Sequence, residues 1–211
     1  MDRAQPLLPP RPTHFGATAL ATAALLLTLL PPDAGATQHD GHGVRQEARD
    51  RPPLFDDLGD HGYTITTGVP GAQAYFDQGM RLYYAFNHAE AVRSFREAQR
   101  LDPGCAMCWW GEGLAWGPNI NLPMDSASGV AAWAAAAGAR DRLDHETERE
   151  RGLVEALLGR YRPVPPPDRA ALDSAWARGL AELKARYPDD REIAVLHGEA
   201  QMDLRPWDYW T

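Results

Sequence analysis

The stretch AQAYFDQGMRLYYAFNHAEAVRSFREAQRLDPGC, from Ala72 to Cys105, carries the clearest structural pattern of the chain. Apolar residues recur three and four positions apart on both sides of the turn Phe86-Asn87-His88, which predicts two amphipathic helices in succession. Pro103 predicts the end of the second helix, because proline lacks the N–H that would continue its hydrogen-bond ladder. These residues therefore predict a helix pair.

Helical spacing continues beyond this stretch, with Pro or Gly between the segments. The only strand-like pattern is a short alternation at 63–66, so the fold class is predicted to be all-α. The predicted helices cover 72–86, 88–101, 105–116, 127–143, 145–161, 168–187 and 190–203.

The 34 residues of 72–105 resemble a tetratricopeptide repeat. The resemblance implies that Gly79 and Ala91 lie where the two helices cross, and that Phe95 and Ala98 face the next repeat. Gln78 departs from the family pattern, which usually has Leu there. The matching structural positions are Tyr75, Gly79, Leu82, Ala91, Phe95, Ala98 and Pro103.

The resemblance implies a right-handed solenoid of antiparallel helix pairs over 71–211. Degenerate repeats are predicted at 106–143 and 145–188, and a partial repeat at 189–211, whose helix has no second helix after it. Because each unit of such an array buries its apolar side on a neighbour, we expect further repeats of a longer chain, or another chain, to cover it.

The N-terminal residues have the pattern of an export signal. Arg3 and Arg11 precede an apolar run of about 14 residues, and Ala34-Gly35-Ala36 is a small-x-small cleavage site. The run is shorter than the roughly 20 residues that span a bilayer. We therefore predict a signal peptide at 1–36, an irregular linker at 37–70, and a periplasmic or extracellular protein without membrane insertion after cleavage.

Charge and motifs exclude several classes of function. The net charge is −8 and there is no basic block, which argues against nucleic-acid binding. His145-Glu146 lacks a second zinc-ligating His, since Arg149 occupies that place. No nucleophile motif, phosphate loop or paired carboxylates stand out. We predict that the chain is not an enzyme, although it could be the recognition part of a longer one.

Cys105 and Cys108 are the only cysteines. Three residues apart on a helix, their Cα atoms lie within disulfide range, and an exported protein favours the oxidised state. A disulfide is therefore predicted. The alternative function is a metal- or redox-linked binding protein that uses this pair and the histidines.

A second metal hypothesis concerns the linker. Cleavage after Ala36 would start the chain Thr37-Gln38-His39, whose amine, amides and imidazole suit square-planar Cu(II) or Ni(II). A start at any residue other than Thr37 would remove His39 from this ligand set. The alternative is a solvated linker with no cofactor.

The resemblance implies a concave face made by the first helices of the repeats. Its aromatic and methionine side chains suit a protein or peptide partner, and this is the predicted function; the alternative is that they form the core or are covered by the chain itself. The predicted binding residues are Phe76, Met80, Tyr83, Tyr84, Met107, Trp110 and Leu114. A small polar site is also possible if Asn119 or Asn121 folds back onto His88.

Overall fold

The computed structural model describes residues 51–205, and its regular structure in that range is entirely helical, as predicted. A 3₁₀ turn, Leu143–His145, lies between α4 and α5, and Asn119 and Leu122 form an isolated bridge. The helices are α1 (Pro70–Tyr84), α2 (His88–Leu101), α3 (Ala106–Ala115), α4 (Ser126–Arg140), α5 (Glu148–Arg160), α6 (Ala170–Arg186) and α7 (Arg191–Asp203).

Side-chain caps begin four of these helices. Thr147 and Glu150 form a capping box at the start of α5, and Asp190 accepts from the N–H of Ile193 at the start of α7. At α4 the cap is Asp125, which accepts from the N–H of Ser128, and Ser126 is the first helical residue.

Each helix packs against its neighbours in the chain. Only three residues join α1 to α2, which makes them an antiparallel hairpin. Beyond these sequential contacts, α1 touches α3 and α3 touches α5. The odd-numbered helices α1, α3 and α5 therefore lie side by side.

Glycine allows close approach at the first helix crossing. The ring of Phe95 in α2 is fully buried, and a Cβ placed on Gly79 of α1 would lie 2.6 Å from its Cε1 atom. A side chain at Gly111 of α3 would collide with the same ring. Phe95 therefore fills the space between two helix backbones, and only glycine fits on either side of it.

The other two helix pairs repeat this arrangement. A Cβ on Gly113 of α3 would lie 3.3 Å from the backbone nitrogen of Ala136 in α4. One on Gly152 of α5 would collide with Leu183 in α6. In each pair, a glycine of the first helix thus contacts the second helix.

The described part of the predicted linker, 51–69, has neither helix nor strand. Tyr63 and Ile65 are nevertheless buried, in the alternation that the sequence predicted. Thr66 donates from its N–H and its hydroxyl to the Glu150 carboxylate, and Arg149 donates to the Thr64 carbonyl. Because the Ile65 N–H also donates to Gln73 of α1, this segment connects α1 to α5.

Some predictions fall outside the described residues. They are the signal peptide at 1–36, the metal ligand His39, and the end of the partial repeat beyond 205. Within 51–205, no helix combines the length and apolar character that a bilayer span requires.

A candidate binding cleft between α1 and α7

The predicted binding residues divide into two groups. Five of them belong to the hydrophobic core, each no more than 1% exposed, and the indole of Trp110 also donates to the Leu153 carbonyl. Tyr83 is also buried in the core, at 3% exposed, but together with the half-buried Tyr84 it lines an open cleft. The five core residues are Phe76, Met80, Met107, Trp110 and Leu114.

The cleft, of about 180 Å³, lies between the C-terminal ends of α1 and α7. Three of its apolar side chains are partly open to solvent: Phe86 is 51% exposed, Val195 52% and Met202 39%. We call it the α1–α7 cleft; it is lined by Tyr83, Tyr84, Phe86, Ile120, Val195, Glu199 and Met202.

Tyrosine–carboxylate hydrogen bonds hold the two sides of the cleft together. The Tyr83 hydroxyl lies 2.6 Å and 2.7 Å from the two carboxylate oxygens of Glu199, and the Tyr84 hydroxyl donates to Glu192. Burial raises the pKa of Glu199 and of Glu192 above their usual range, although these hydrogen bonds oppose the shift. Burial and the neighbouring carboxylates raise the pKa of both tyrosines, which therefore stay neutral and donate.

Phe86 has an unusual backbone conformation at the rim of the cleft. Its φ is +59°, the left-handed region, which glycine normally occupies at a helix end. The Asn87 N–H bonds to the Leu82 carbonyl and the Phe86 N–H to that of Tyr83, the pattern of a Schellman motif. The chain therefore keeps a large, exposed aromatic residue where glycine would be favoured.

A small polar contact lies beside the cleft. Asn119 Nδ2 lies 3.2 Å from His88 Nε2, so the loop after α3 does fold back, while Asn121 is exposed. Tyr83 packs its ring edge-on against His88, with 5.2 Å between centroids. Burial lowers the pKa of His88. The neutral imidazole thus helps to position the loop that carries Ile120 into the cleft.

Cys105 and Cys108 form a disulfide at the start of α3, with 5.4 Å between their Cα atoms. Cys105 is 2% exposed and Cys108 is fully buried. Exchange with an external thiol needs access to a sulfur atom, so this pair is poorly placed for redox chemistry in the folded chain. Among residues 51–205, no three His, Cys, Asp or Glu side chains gather in a way that could hold a metal ion.

Sequence reasoning missed the carboxylates of α7. Asp190 accepts from the Tyr63 hydroxyl at 3.3 Å, and Asp203 accepts from the buried Arg160 at 2.7 Å. Glu192 and Glu199, which accept from Tyr84 and Tyr83, lie on α7 between them. The separations of seven and four residues between 192, 199 and 203 place these three on one helix face, and this was the available signal.

A second carboxylate pair lies at the start of α5. Glu146 accepts from the Ala106 N–H, but its Oε2 atom is buried without a partner among the described residues. Burial, together with the charge of Glu150 and a hydrogen bond to it, raises the pKa of Glu146 to about 7. Burial also acts to raise the pKa of Glu150, but hydrogen bonds from Thr147 and Thr66 lower it overall. Below about pH 7, Glu146 thus keeps most of its proton while Glu150 is ionised.

We expect Glu146→Gln to make the stability of the protein less dependent on pH between about 4.5 and 7. Between pH 4.5 and 7 the folded chain retains the Glu146 proton that the unfolded chain has lost, so stability falls as the pH rises through this window. An amide does not titrate in this range and therefore removes this loss. At pH 8 the variant should be more stable than the wild type by about 1–3 kcal/mol, and at pH 5 nearly equal. Urea unfolding at both pH values measures this difference.

Glu155→Gln is the matched control, because Glu155 is exposed on α5, the helix that begins two residues after Glu146. Its difference from the wild type should be small at both pH values. If Glu146→Gln changed the free energy of unfolding equally at pH 5 and pH 8, this result would contradict the raised pKa of Glu146.

The described residues thus define an all-helical protein with an apolar cleft whose walls are joined by tyrosine–carboxylate bonds. Comparisons with protein-family models, with curated proteins and with solved structures find no significant match.

Proposed function

We propose that this chain is a binding protein that takes apolar side chains of a partner polypeptide into the α1–α7 cleft. The observation that carries the proposal is Phe86, half-exposed at the rim and held at positive φ. A non-glycine residue in this conformation costs roughly 1–2 kcal/mol. Strained residues of this kind concentrate at functional sites, and an exposed aromatic side chain is a frequent energetic centre of protein interfaces.

We propose that the architecture is a solenoid of the tetratricopeptide type. Support comes from the three glycines at successive helix pairs, Gly79, Gly113 and Gly152, and from the side-by-side packing of α1, α3 and α5. The cleft then lies at the C-terminal ends of its first and last described helices. The expected concave-face residues contribute to it through Tyr83 and Tyr84.

We also propose that the protein works outside the cytoplasm as a scaffold without catalytic activity. The charged start, short apolar run and Ala34-Gly35-Ala36 of the N-terminus support export. The partner is then a polypeptide of the periplasm or the extracellular space.

Phe86→Gly separates binding from folding. Peptides selected from a displayed random library on the immobilised wild-type chain serve as the probe. Because glycine relieves the positive φ, the free energy of unfolding should rise by up to about 1 kcal/mol. Affinity for the selected peptides should fall about tenfold or more, since the ring is removed from the rim. Fluorescence anisotropy measures affinity, and urea unfolding measures stability.

Two valines provide the matched controls. Val195 in the cleft and Val130 on α4 are both 52% exposed. Val195→Ser should weaken peptide binding and Val130→Ser should not. Equal affinity of the wild type and the Phe86→Gly chain would disprove a role of the cleft.

A further inference from the structure

A larger cavity, of about 510 Å³, lies next to the α1–α7 cleft and shares Ile120 with it. One wall is the loop 118–124, which contributes Ile120, Leu122 and Met124. Another is the start of α6 with the turn before it. The cavity therefore has apolar side chains in its lining and a volume that can hold a short aliphatic chain.

The charged lining is mostly acidic. It comprises Asp168, Asp173 and Asp203 together with one cation, Arg169. Arg169 donates to Asp173 at 2.9 Å, and Arg160 donates to Asp203 at 2.7 Å. These two arginines offset the charges of Asp173 and Asp203, which leaves the charge of Asp168 in excess.

Asp203 is the residue that indicates a ligand. Its side chain is only 6% exposed, and its Oδ1 atom has no hydrogen-bond partner among the described residues, because Arg160 bonds to Oδ2. Leaving a buried acceptor unsatisfied costs free energy that a donor would recover. A carboxylate oxygen favours a charged N–H donor above a neutral one.

We propose that this cavity binds an organic cation, an ammonium or guanidinium group on an aliphatic chain. The cationic group donates to Asp203 and is attracted by Asp168 and Asp173, and its methylene groups lie along Ile120, Leu122 and Met124. If the cation is a Lys or Arg side chain of a partner polypeptide, this proposal rests on the proposed function. A neighbouring apolar side chain of that partner then occupies the α1–α7 cleft. The same chemistry also fits a free amine.

Butylguanidinium is the direct probe, and butanol is its uncharged counterpart. Titration of the full chain, followed by calorimetry, should give a Kd on the order of 1 mM for the cation and no measurable binding of butanol. Affinity should weaken with added salt, because the attraction is electrostatic. Failure of butylguanidinium to bind, or equal binding of butanol, would overturn the proposal.

Two arginine substitutions test the location without touching Asp203. Leu122 is 65% exposed and lines the cavity, whereas Val164 is 80% exposed and does not line it. Leu122→Arg brings a tethered guanidinium to the site and should reduce butylguanidinium affinity about tenfold or more. Val164→Arg adds the same charge and should leave affinity unchanged. Equal affinities of the two variants would overturn the assignment to this cavity.

The source of the cation is resolved by a capped Gly-Arg-Gly peptide. Binding of both this peptide and butylguanidinium supports a polypeptide partner, and binding of butylguanidinium alone supports a free amine. Phe86→Gly should leave butylguanidinium affinity unaltered. If the Phe86→Gly chain no longer binds the library-selected peptides but still binds butylguanidinium, the cavity and the cleft act separately.

Discussion

Replacing Phe95 by alanine is expected to lower the free energy of unfolding by about 3–5 kcal/mol. The ring is fully buried between the backbones of α1 and α3, at Gly79 and Gly111, so its removal leaves a cavity that rigid helices cannot close. Urea unfolding followed by circular dichroism measures the loss.

The two glycines make this prediction more specific. Gly111→Ala alone should destabilise the chain, because its Cβ would collide with the Phe95 ring. In the Phe95→Ala chain the same methyl group enters vacated space and should be neutral or stabilising. The coupling in this double-mutant cycle should reach about 1–3 kcal/mol. Additive effects would show that Phe95 does not occupy the space between the helices.

Arg160→Met is expected to destabilise the protein by about 3–5 kcal/mol, the loss seen when one partner of a buried ion pair is removed. Arg160 is 1% exposed; it bonds to Asp203, lies 3.7 Å from Asp173, and donates to the Pro118 carbonyl at 3.0 Å. Methionine fills much of the volume but leaves Asp203 without its cation, whereas Asp173 keeps the hydrogen bond from Arg169. Thermal and urea unfolding measure the loss.

The double variant Arg160→Met/Asp203→Asn tests the cause. Burial raises the pKa of Asp203 to about 6 even though Arg160 opposes the shift, so the uncompensated carboxylate should be the main source of the loss. Removing that charge should restore part of the stability. Arg162→Met, at an exposed position two residues away, should change stability by less than about 0.5 kcal/mol. A double variant no more stable than Arg160→Met would refute this explanation.

The helices could be predicted because their signals are local. The first helix pair is indicated by the apolar spacing of 72–101 and by Pro103, and these signals involve residues only a few positions apart. All seven helices of the described residues lie close to the predicted ranges, and the two largest boundary differences are at 140–143 and 145–148, on either side of the 3₁₀ segment Leu143–His145. The disulfide follows the same logic, since two cysteines three residues apart on a helix start are close in any packing.

The cleft was harder to predict because it depends on contacts across the chain. Tyr83 and Glu199 are 116 residues apart, and no periodicity connects them. Residue type and helical spacing do not distinguish Trp110 and Met107 from exposed recognition residues. Only the packing of the neighbouring helices places them in the core. Left-handed φ at Phe86 breaks the local preference of its residue type, so sequence rules miss it.

The bonds between α1 and α7 also bear on how this chain loses its structure. In a simple array of repeats, units interact only with adjacent units, so the ends can melt separately. Here the hydroxyl groups of Tyr83 and Tyr84 join the first described helix to the last, over sequence separations of 116 and 108 residues. Such non-local bonds raise contact order, which slows folding. Because α1 and α7 must release each other before either can unfold alone, the described helices should melt cooperatively.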